Sequence, residues 1–213
     1  MESIILLGIG GHAHSIVDSI ESSNEYIICG FLDVPKRIGE QYRGYEVIGT
    51  DDLLESCFQR GIRNAFVSIG YLGTGNIRNN LYERLKAMGF HLPNIIDRTA
   101  VIAKDVVMGE GNFVGKEAII NSAAKIGNMC IINTGAIVEH DCKVGDFSHV
   151  SVGSVLCGDV HVGQSSFIGA NATVIQGKNI GDNCIVGAGT TIRKDMKNNQ
   201  MAWSMEEVKI WNI

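Results

Sequence analysis

From Ile102 to Ile192 every sixth residue is Ile, Val, Leu or Met, through Met108, Val114, Ile132, Val150 and Ile168, sixteen positions with no insertion. If about one residue in four is of this kind, chance gives such a run roughly once in several billion trials. Four residues after each aliphatic the side chain is usually small, as at Ala118, Ala124, Cys130, Ala136, Cys142 and Ser148. Glycine adds a second period: Gly109, Gly127, Gly145, Gly163 and Gly181 are spaced by eighteen. A six-residue period predicts a parallel β-helix, whose coils bury one continuous aliphatic column by stacking. Glycine once in three hexapeptides predicts three flat faces per coil. It is expected at a corner, because glycine turns cheaply through unusual backbone angles. About five coils follow from residues 102 to 192, and Asn198 breaks the series.

The pattern before residue 98 is different. An apolar run, Ile4 to Gly8, leads into Ile9-Gly10-Gly11-His12-Ala13. Ile16, Val17 and Ile20 follow at helical spacing, and a second apolar segment from Tyr26 to Leu32 ends at Asp33. Strand, glycine turn, helix and strand make a βαβ unit. A third strand is expected over 64–69 and a helix over 77–88. The chain is therefore read as a small Rossmann-like α/β domain over 1–98, then a β-helix domain with a C-terminal tail over 99–213. Gly8-x-Gly10-x-x-Ala13 with Asp33 twenty residues on loosely fits a dinucleotide fingerprint. Its glycines let backbone amides approach a pyrophosphate at a helix N-terminus, a chemistry that serves NAD and a sugar nucleotide alike.

Composition narrows the classes. The 213 residues are 45% hydrophobic and 19% charged, with a net charge of -5. That balance belongs to a folded chain without a basic footprint for nucleic acid. No apolar run reaches the roughly 18 residues of a membrane span, and the start lacks the basic region of a signal peptide, so a cytoplasmic protein is expected. Six cysteines without CxxC spacing are read as reduced packing residues.

Three of six histidines, His140, His149 and His161, lie in the repeat region. Separated by nine and twelve residues on an 18-residue coil, they point from different faces, so a zinc site, which needs three converging ligands, is not expected within one chain. The segment Glu139-His140-Asp141 has more to offer. A carboxylate flanks the imidazole on each side, which raises its basicity and orients it for proton transfer.

The stretch Ile-x-Asn-Thr…Val-Glu-His-Asp-Cys-x-Val-Gly-Asp-Phe-Ser-His-Val-Ser-Val-Gly resembles the bacterial family of sialic acid O-acetyltransferases and nucleotide-aminosugar N-acetyltransferases, which are hexapeptide-repeat acyltransferases. Gly-x-Gly-Gly-His near the start, Gly30-Phe31-Leu32-Asp33 and Asn94-Ile95-Ile96-Asp97 extend the resemblance over nearly the whole chain. It implies a left-handed β-helix and direct transfer from acetyl-CoA without an acyl-enzyme. By resemblance His140 is the general base and Asp141 orients it. His149 contacts the acetyl-CoA end, the Gly158 amide faces the acetyl carbonyl, and the Ala170 and Ala188 amides contact the pantetheine arm. Gly10, Gly11, His12, Asp33 and Gly70 hold the nucleotide. The resemblance also implies a homotrimer with active sites between protomers. The acceptor is either a nucleotide-linked amino sugar, acetylated on nitrogen at C4, or a sialic acid, acetylated on oxygen. A non-catalytic binding protein on the same scaffold is the reading from another class. The chain departs from the family where many members carry a Gly-x-Pro-Ala-Lys loop over the coenzyme: it runs Met201-Ala202-Trp203-Ser204-Met205-Glu206-Glu207.

Overall fold

A computed structural model describes residues 1–73 and 75–204. Met205, Glu206 and Glu207, part of the departure from the family loop, lie outside the described residues.

The N-terminal unit contains β1 (Glu2–Leu7), α1 (Gly11–Ser23), β2 (Tyr26–Leu32), β3 (Gln41–Tyr42), β4 (Tyr45–Gly49), α2 (Leu54–Gln59), β5 (Asn64–Val67) and α3 (Ile77–Ala87). The sheet order is β3-β4-β2-β1-β5, parallel except for the β3–β4 hairpin. The continuous apolar run of β1 reflects burial on both faces. Ile4 and Leu6 join a cluster with Ile16, Val17 and Ile20 of α1, while Ile5 and Leu7 join one with Leu54, Leu81 and Leu85. The third strand stops at Val67 rather than Ile69, because Ser68 turns its hydroxyl onto the carbonyls of Leu7 and Gly8.

The repeat folds into two-residue strands on three parallel sheets. The first face stacks Val101–Ile102, Ile119–Ile120, Ile137–Val138, Val155–Leu156, Thr173–Val174 and Thr191–Ile192. The second runs from Val107–Met108 through Lys143–Val144 and His161–Val162 to Asn179–Ile180. The third begins at Ile95–Ile96, continues through Phe113–Val114, Ile131–Ile132, His149–Val150, Phe167–Ile168 and Ile185–Val186, and ends at Met201–Ala202. In most strands the second residue points inward. Val114, Ile132, Val150, Leu156 and Ile168 are fully buried, with Ala118, Cys130, Cys142 and Cys184 filling the gaps between them. The series does not end at Asn198. The last coil is two residues shorter than the others, pairing Val186 with Ala202, and Met196 and Ala202 carry the column on.

The corners overturn one expectation. Gly109, Gly127, Gly145, Gly163 and Gly181 have no positive φ; the left-handed corner is the third residue after each aliphatic. There Glu117 (φ 55°), Asp141 (63°), Phe147 (61°), Asn171 (54°) and Asn183 (54°) share the role with Gly135 (64°) and Gly153 (64°). The eighteen-residue glycines are required by proximity. A Cβ on Gly145 would sit 2.6 Å from the Gln164 nitrogen and 2.7 Å from the Gly163 carbonyl carbon, in the next coil. Each left-handed corner is repaid by a bond between coils: Asp141 N–H donates to the Ser122 carbonyl, Asp159 N–H to that of His140 and Gly177 N–H to that of Gly158.

The α/β unit docks on the third face. The outward residues Phe113, Ile131 and His149 are buried beneath it, and Tyr71 donates its hydroxyl to the Ser165 carbonyl at 2.7 Å. Asp97 fastens the first coil to this unit, accepting from Ser19, from the Thr99 amide and hydroxyl, and from Lys116, which also pairs with Asp18. Burial alone would raise the Asp97 pKa, but these hydrogen bonds outweigh it and hold the carboxyl well below the usual range.

The two kinds of glycine are separable by mutation. Gly145→Ala, which drives a methyl into neighbouring backbone, is expected to destabilise by about 3 kcal/mol. Gly135→Ala, where an added methyl meets nothing within 4 Å, costs only the left-handed backbone, about 1 kcal/mol. Paired urea unfolding curves would show the order, and a reversed order would return the corner role to the eighteen-residue glycines.

Candidate active site

Two edges of the β-helix carry the chemistry. At the edge between the first and second faces lies Glu139-His140-Asp141. The left-handed turn at Asp141 brings its Oδ2 2.9 Å from His140 Nδ1. Glu139 Oε2 accepts the His140 amide at 3.2 Å, and its Oε1 accepts from Asn121 Nδ2 at 2.9 Å. With Asp141 accepting from Nδ1, His140 presents a basic Nε2 outward. The Asp141 hydrogen bond raises the His140 pKa above 6.5, with further support from the charges of Asp141, Glu139 and Asp159.

Gly158, one coil on, lies directly under the imidazole: a Cβ there would come within 2.6 Å of His140 Nε2. The Gly158 carbonyl accepts from Gly177, while its N–H has no acceptor among the described residues. The same geometry leaves the amides of Ala170 and Ala188 unpaired among the described residues, on the edge between the third and first faces. Cys142 is not a nucleophile: burial pushes its thiol up to about 11, and Sγ donates to the Cys157 carbonyl at 3.2 Å.

The other edge borders a cleft of about 670 Å³ between the α/β unit and the β-helix. Gly10, Gly11, His12, Asp33 and Gly70 line it, as does His149, which the resemblance places at the acetyl-CoA end. Gly10 caps the N-terminus of α1 without a side-chain cap, no acidic residue occupies the first turn, and a Cβ on Gly10 or Gly11 would meet nothing within 4 Å. Asp33 organises the loop itself, accepting from the amides of Ile9 at 2.8 Å and Val34 at 2.7 Å. His149 is 5% exposed, donates Nδ1–H to the Tyr71 carbonyl at 2.6 Å and has Asn133 Nδ2 at 3.1 Å from Nε2. Burial lowers its pKa to about 4, and burial together with Arg78 lowers that of His12 to about 3, so both rings are neutral at pH 7. Arg78 itself is 3% exposed, bonded to the Met129 carbonyl, with Nε and Nη1 unpartnered among the described residues. A smaller, mostly apolar recess of about 330 Å³ opens beside Gly8, Asp33 and Ile69, rimmed by Thr50, Asp51 and Asn80.

His140, Asp141 and Gly158 thus meet at one edge, and the five nucleotide candidates meet in a cleft at another. Sequence reasoning missed Arg37, Tyr71 and Arg78. Each came from a loop or polar helix position with no periodic signal, whereas Asn133 and Thr134, also in the cleft, stood in the quoted motif.

Comparison with known proteins places this geometry. Residues 3–85 match the PglD N-terminal domain, and residues 159–194 the hexapeptide repeat of succinyl-transferase. A histidine-to-alanine variant of the GDP-perosamine N-acetyltransferase from Caulobacter crescentus, in complex with CoA and GDP-perosamine, is 34% identical over 95% of this chain and 93% of its own, with a TM-score of 0.89. The chain belongs to the nucleotide-aminosugar N-acetyltransferases of the hexapeptide-repeat type. Within that family the acetyltransferase domain of PglB from Neisseria gonorrhoeae, in complex with acetyl coenzyme A, is 28% identical, covering 94% of this chain and 95% of that one, TM-score 0.85. WeeI from Acinetobacter baumannii shares the fold at 16% identity, covering 94% of this chain and 96% of its own, TM-score 0.62. No curated protein matches the sequence. The β-helix of this acetyltransferase is accordingly left-handed. No group of three metal-ligating side chains occurs among the described residues, and no helix among them is long and apolar enough to cross a membrane.

The Asp141 bond sets a pH signature. As Asp141 favours the charged imidazolium, Asp141→Asn lowers the His140 pKa, and the rising limb of kcat/KM moves to lower pH. The plateau above it falls, because a less basic, less oriented imidazole takes the proton less well. A pH–rate profile with an unmoved limb would detach Asp141 from the base.

Proposed function

We propose that this enzyme transfers the acetyl group of acetyl-CoA to the C4 amino group of a nucleotide-activated amino sugar for bacterial surface-glycan synthesis, with His140 as general base. The observation that carries the reading is the His140–Asp141 pair, whose Nε2 stands beside the unpaired Gly158 amide. The neutral amine attacks the thioester carbon while His140 Nε2 takes its proton. The carbonyl oxygen gains negative charge and is met by the Gly158 N–H. As the intermediate collapses the C–S bond breaks, and the imidazolium returns the proton to the departing CoA thiolate. No acyl-enzyme forms.

The acceptor nucleotide fits the cleft on physical grounds. A pyrophosphate suits the uncapped N-terminus of α1, where bare Gly10 and Gly11 admit close approach and Arg37 lines the wall. The adjoining recess would take the base. That the Caulobacter relative is complexed with CoA and GDP-perosamine supports the same assignment.

His140 and the cleft stand on opposite edges of the first face, so one chain does not bring them together. That face carries a half-buried outward column of Ile119, Ile137, Val155 and Thr173. We infer a homotrimer in which this column packs against a neighbour and the His140 edge of one protomer meets the cleft edge of the next. We place the reaction in the cytoplasm, where CoA and activated sugars are available and the six free thiols stay reduced.

Thiol release from acetyl-CoA with GDP-, UDP- and dTDP-4-amino sugars, CMP-sialic acid and free sialic acid tests the reaction. An amino-sugar nucleotide should react, with kcat reduced by about 10² to 10⁴ in His140→Ala. Turnover of sialates alone would move the enzyme to O-acetylation, and silence across the panel would favour a binding protein. Sedimentation should give the mass of three chains. Ile137→Asp should give monomers without activity, and an active monomer would refute the shared site.

A further inference from the structure

Thr134, Val152, Ala170 and Ala188 follow one another at eighteen-residue steps along the edge between the third and first faces. After the shortened last coil the edge continues with Trp203 and Ser204. Trp203 is 66% exposed and is the one exposed Phe, Tyr or Trp among the described residues. An exposed indole on a regular surface needs a reason, and its seating is definite. The ring lies on Gly187, where an added Cβ would fall 2.6 Å from it, and the following amide, Ser204 N–H, donates to Thr190 Oγ1 at 3.1 Å. Among the described residues, one face of the indole is held by backbone and the other is open.

We propose that Trp203 is the stacking platform for the adenine ring of acetyl-CoA. The proposal rests on the reading above, in which the donor lies along the groove between the His140 edge of one protomer and the Ala170–Ala188 edge of the next. At about 4.8 Å per coil, Trp203 lies roughly 12 Å along the axis from the level of Gly158. That is within reach of an extended pantetheine-pyrophosphate arm whose thioester sits at Gly158. Between the two levels, the unpaired Ala170 and Ala188 amides offer donors to the arm's amide carbonyls. On the facing edge Gly158, Gln176 and Lys194 follow at eighteen-residue steps, so exposed Arg193 and Lys194 present cations to the coenzyme phosphates near the Trp203 level. A purine has the broad π-face an open indole stacks with, and the fixed ring loses little entropy on binding.

The chain has two tryptophans, Trp203 and Trp211, so the full-length Trp211→Phe protein reports on Trp203 alone. Its fluorescence should be quenched saturably by CoA and by adenosine 3′,5′-bisphosphate, and not by pantetheine. In kinetics, Trp203→Ala should cut the kcat/KM preference for acetyl-CoA over acetyl-pantetheine about tenfold, and Trp203→Phe should restore most of it. A preference that survives Trp203→Ala, or CoA that quenches no better than pantetheine, overturns the assignment. Failure of the parent reading looks different: the unaltered enzyme would acetylate no sugar, while the quenching experiment would still decide whether adenine sits on Trp203.

Discussion

The bond between successive corners is the constraint on which the rest of this molecule depends. At most corners from Met129 onward the third residue after the aliphatic turns left-handed and gives its N–H to a corner carbonyl of the coil before. This occupies the carbonyl of the second corner residue, as at His140 and Gly158, while His140 keeps an exposed side chain and the Gly158 N–H stays without an acceptor among the described residues. The left-handed turn costs about 1 to 2 kcal/mol at a non-glycine residue, and coil-to-coil hydrogen bonding and the stacked aliphatic column offset it. The geometry around His140 follows from that arrangement. His140 is a second corner residue, so it points away from the core; Asp141 is the left-handed residue, so its carboxylate curls back to Nδ1. Gly158, Ala170 and Ala188 are second corner residues too, and their amides have no acceptor among the described residues.

The α/β unit is fixed to one face of this column by unusual means. Beneath it lies a buried guanidinium, Arg78, with one carbonyl partner and two unpartnered nitrogens among the described residues. Burial lowers its pKa to about 10, so it remains charged at pH 7. Its charge, with burial, holds His12 and His149 neutral. The cleft therefore presents neutral imidazoles and helix amides to a ligand, while the cationic potential comes from behind. On the other edge His140 is basic because it is exposed and paired. The two histidine environments have opposite pKa directions: burial lowers His12 and His149, and the Asp141 hydrogen bond raises His140.

Much of this was legible in the chain. The six-residue series predicted the stacked column, and Glu139-His140-Asp141 stood out as an imidazole between two carboxylates. The glycine period was visible but its cause was not. Glycine is demanded at Gly145 by the approach of another coil, and close approach between residues eighteen apart has no signature in local backbone preference. Asn198 looked like the end of the series because a two-residue shortening shifts the frame, and only the pairing of Val186 with Ala202 shows that the column continues. Arg78 looked like one more polar residue on α3 and proved to be buried at the seam.

The sequence by itself determined the repeat, the stacking direction of the aliphatics, the βαβ start and the residues of the His140 corner. Each of these rests on interactions whose period is written along the chain: side chains six apart meet the same column, and neighbours in sequence share a turn. Only the tertiary structure decided that His149 is buried and neutral, that the nucleotide candidates share a cleft with Asn133 and Thr134, and that this cleft and His140 occupy different edges. Those outcomes depend on where one folded unit docks on another. Docking is set by the shape and burial of whole faces, a property that no local spacing encodes.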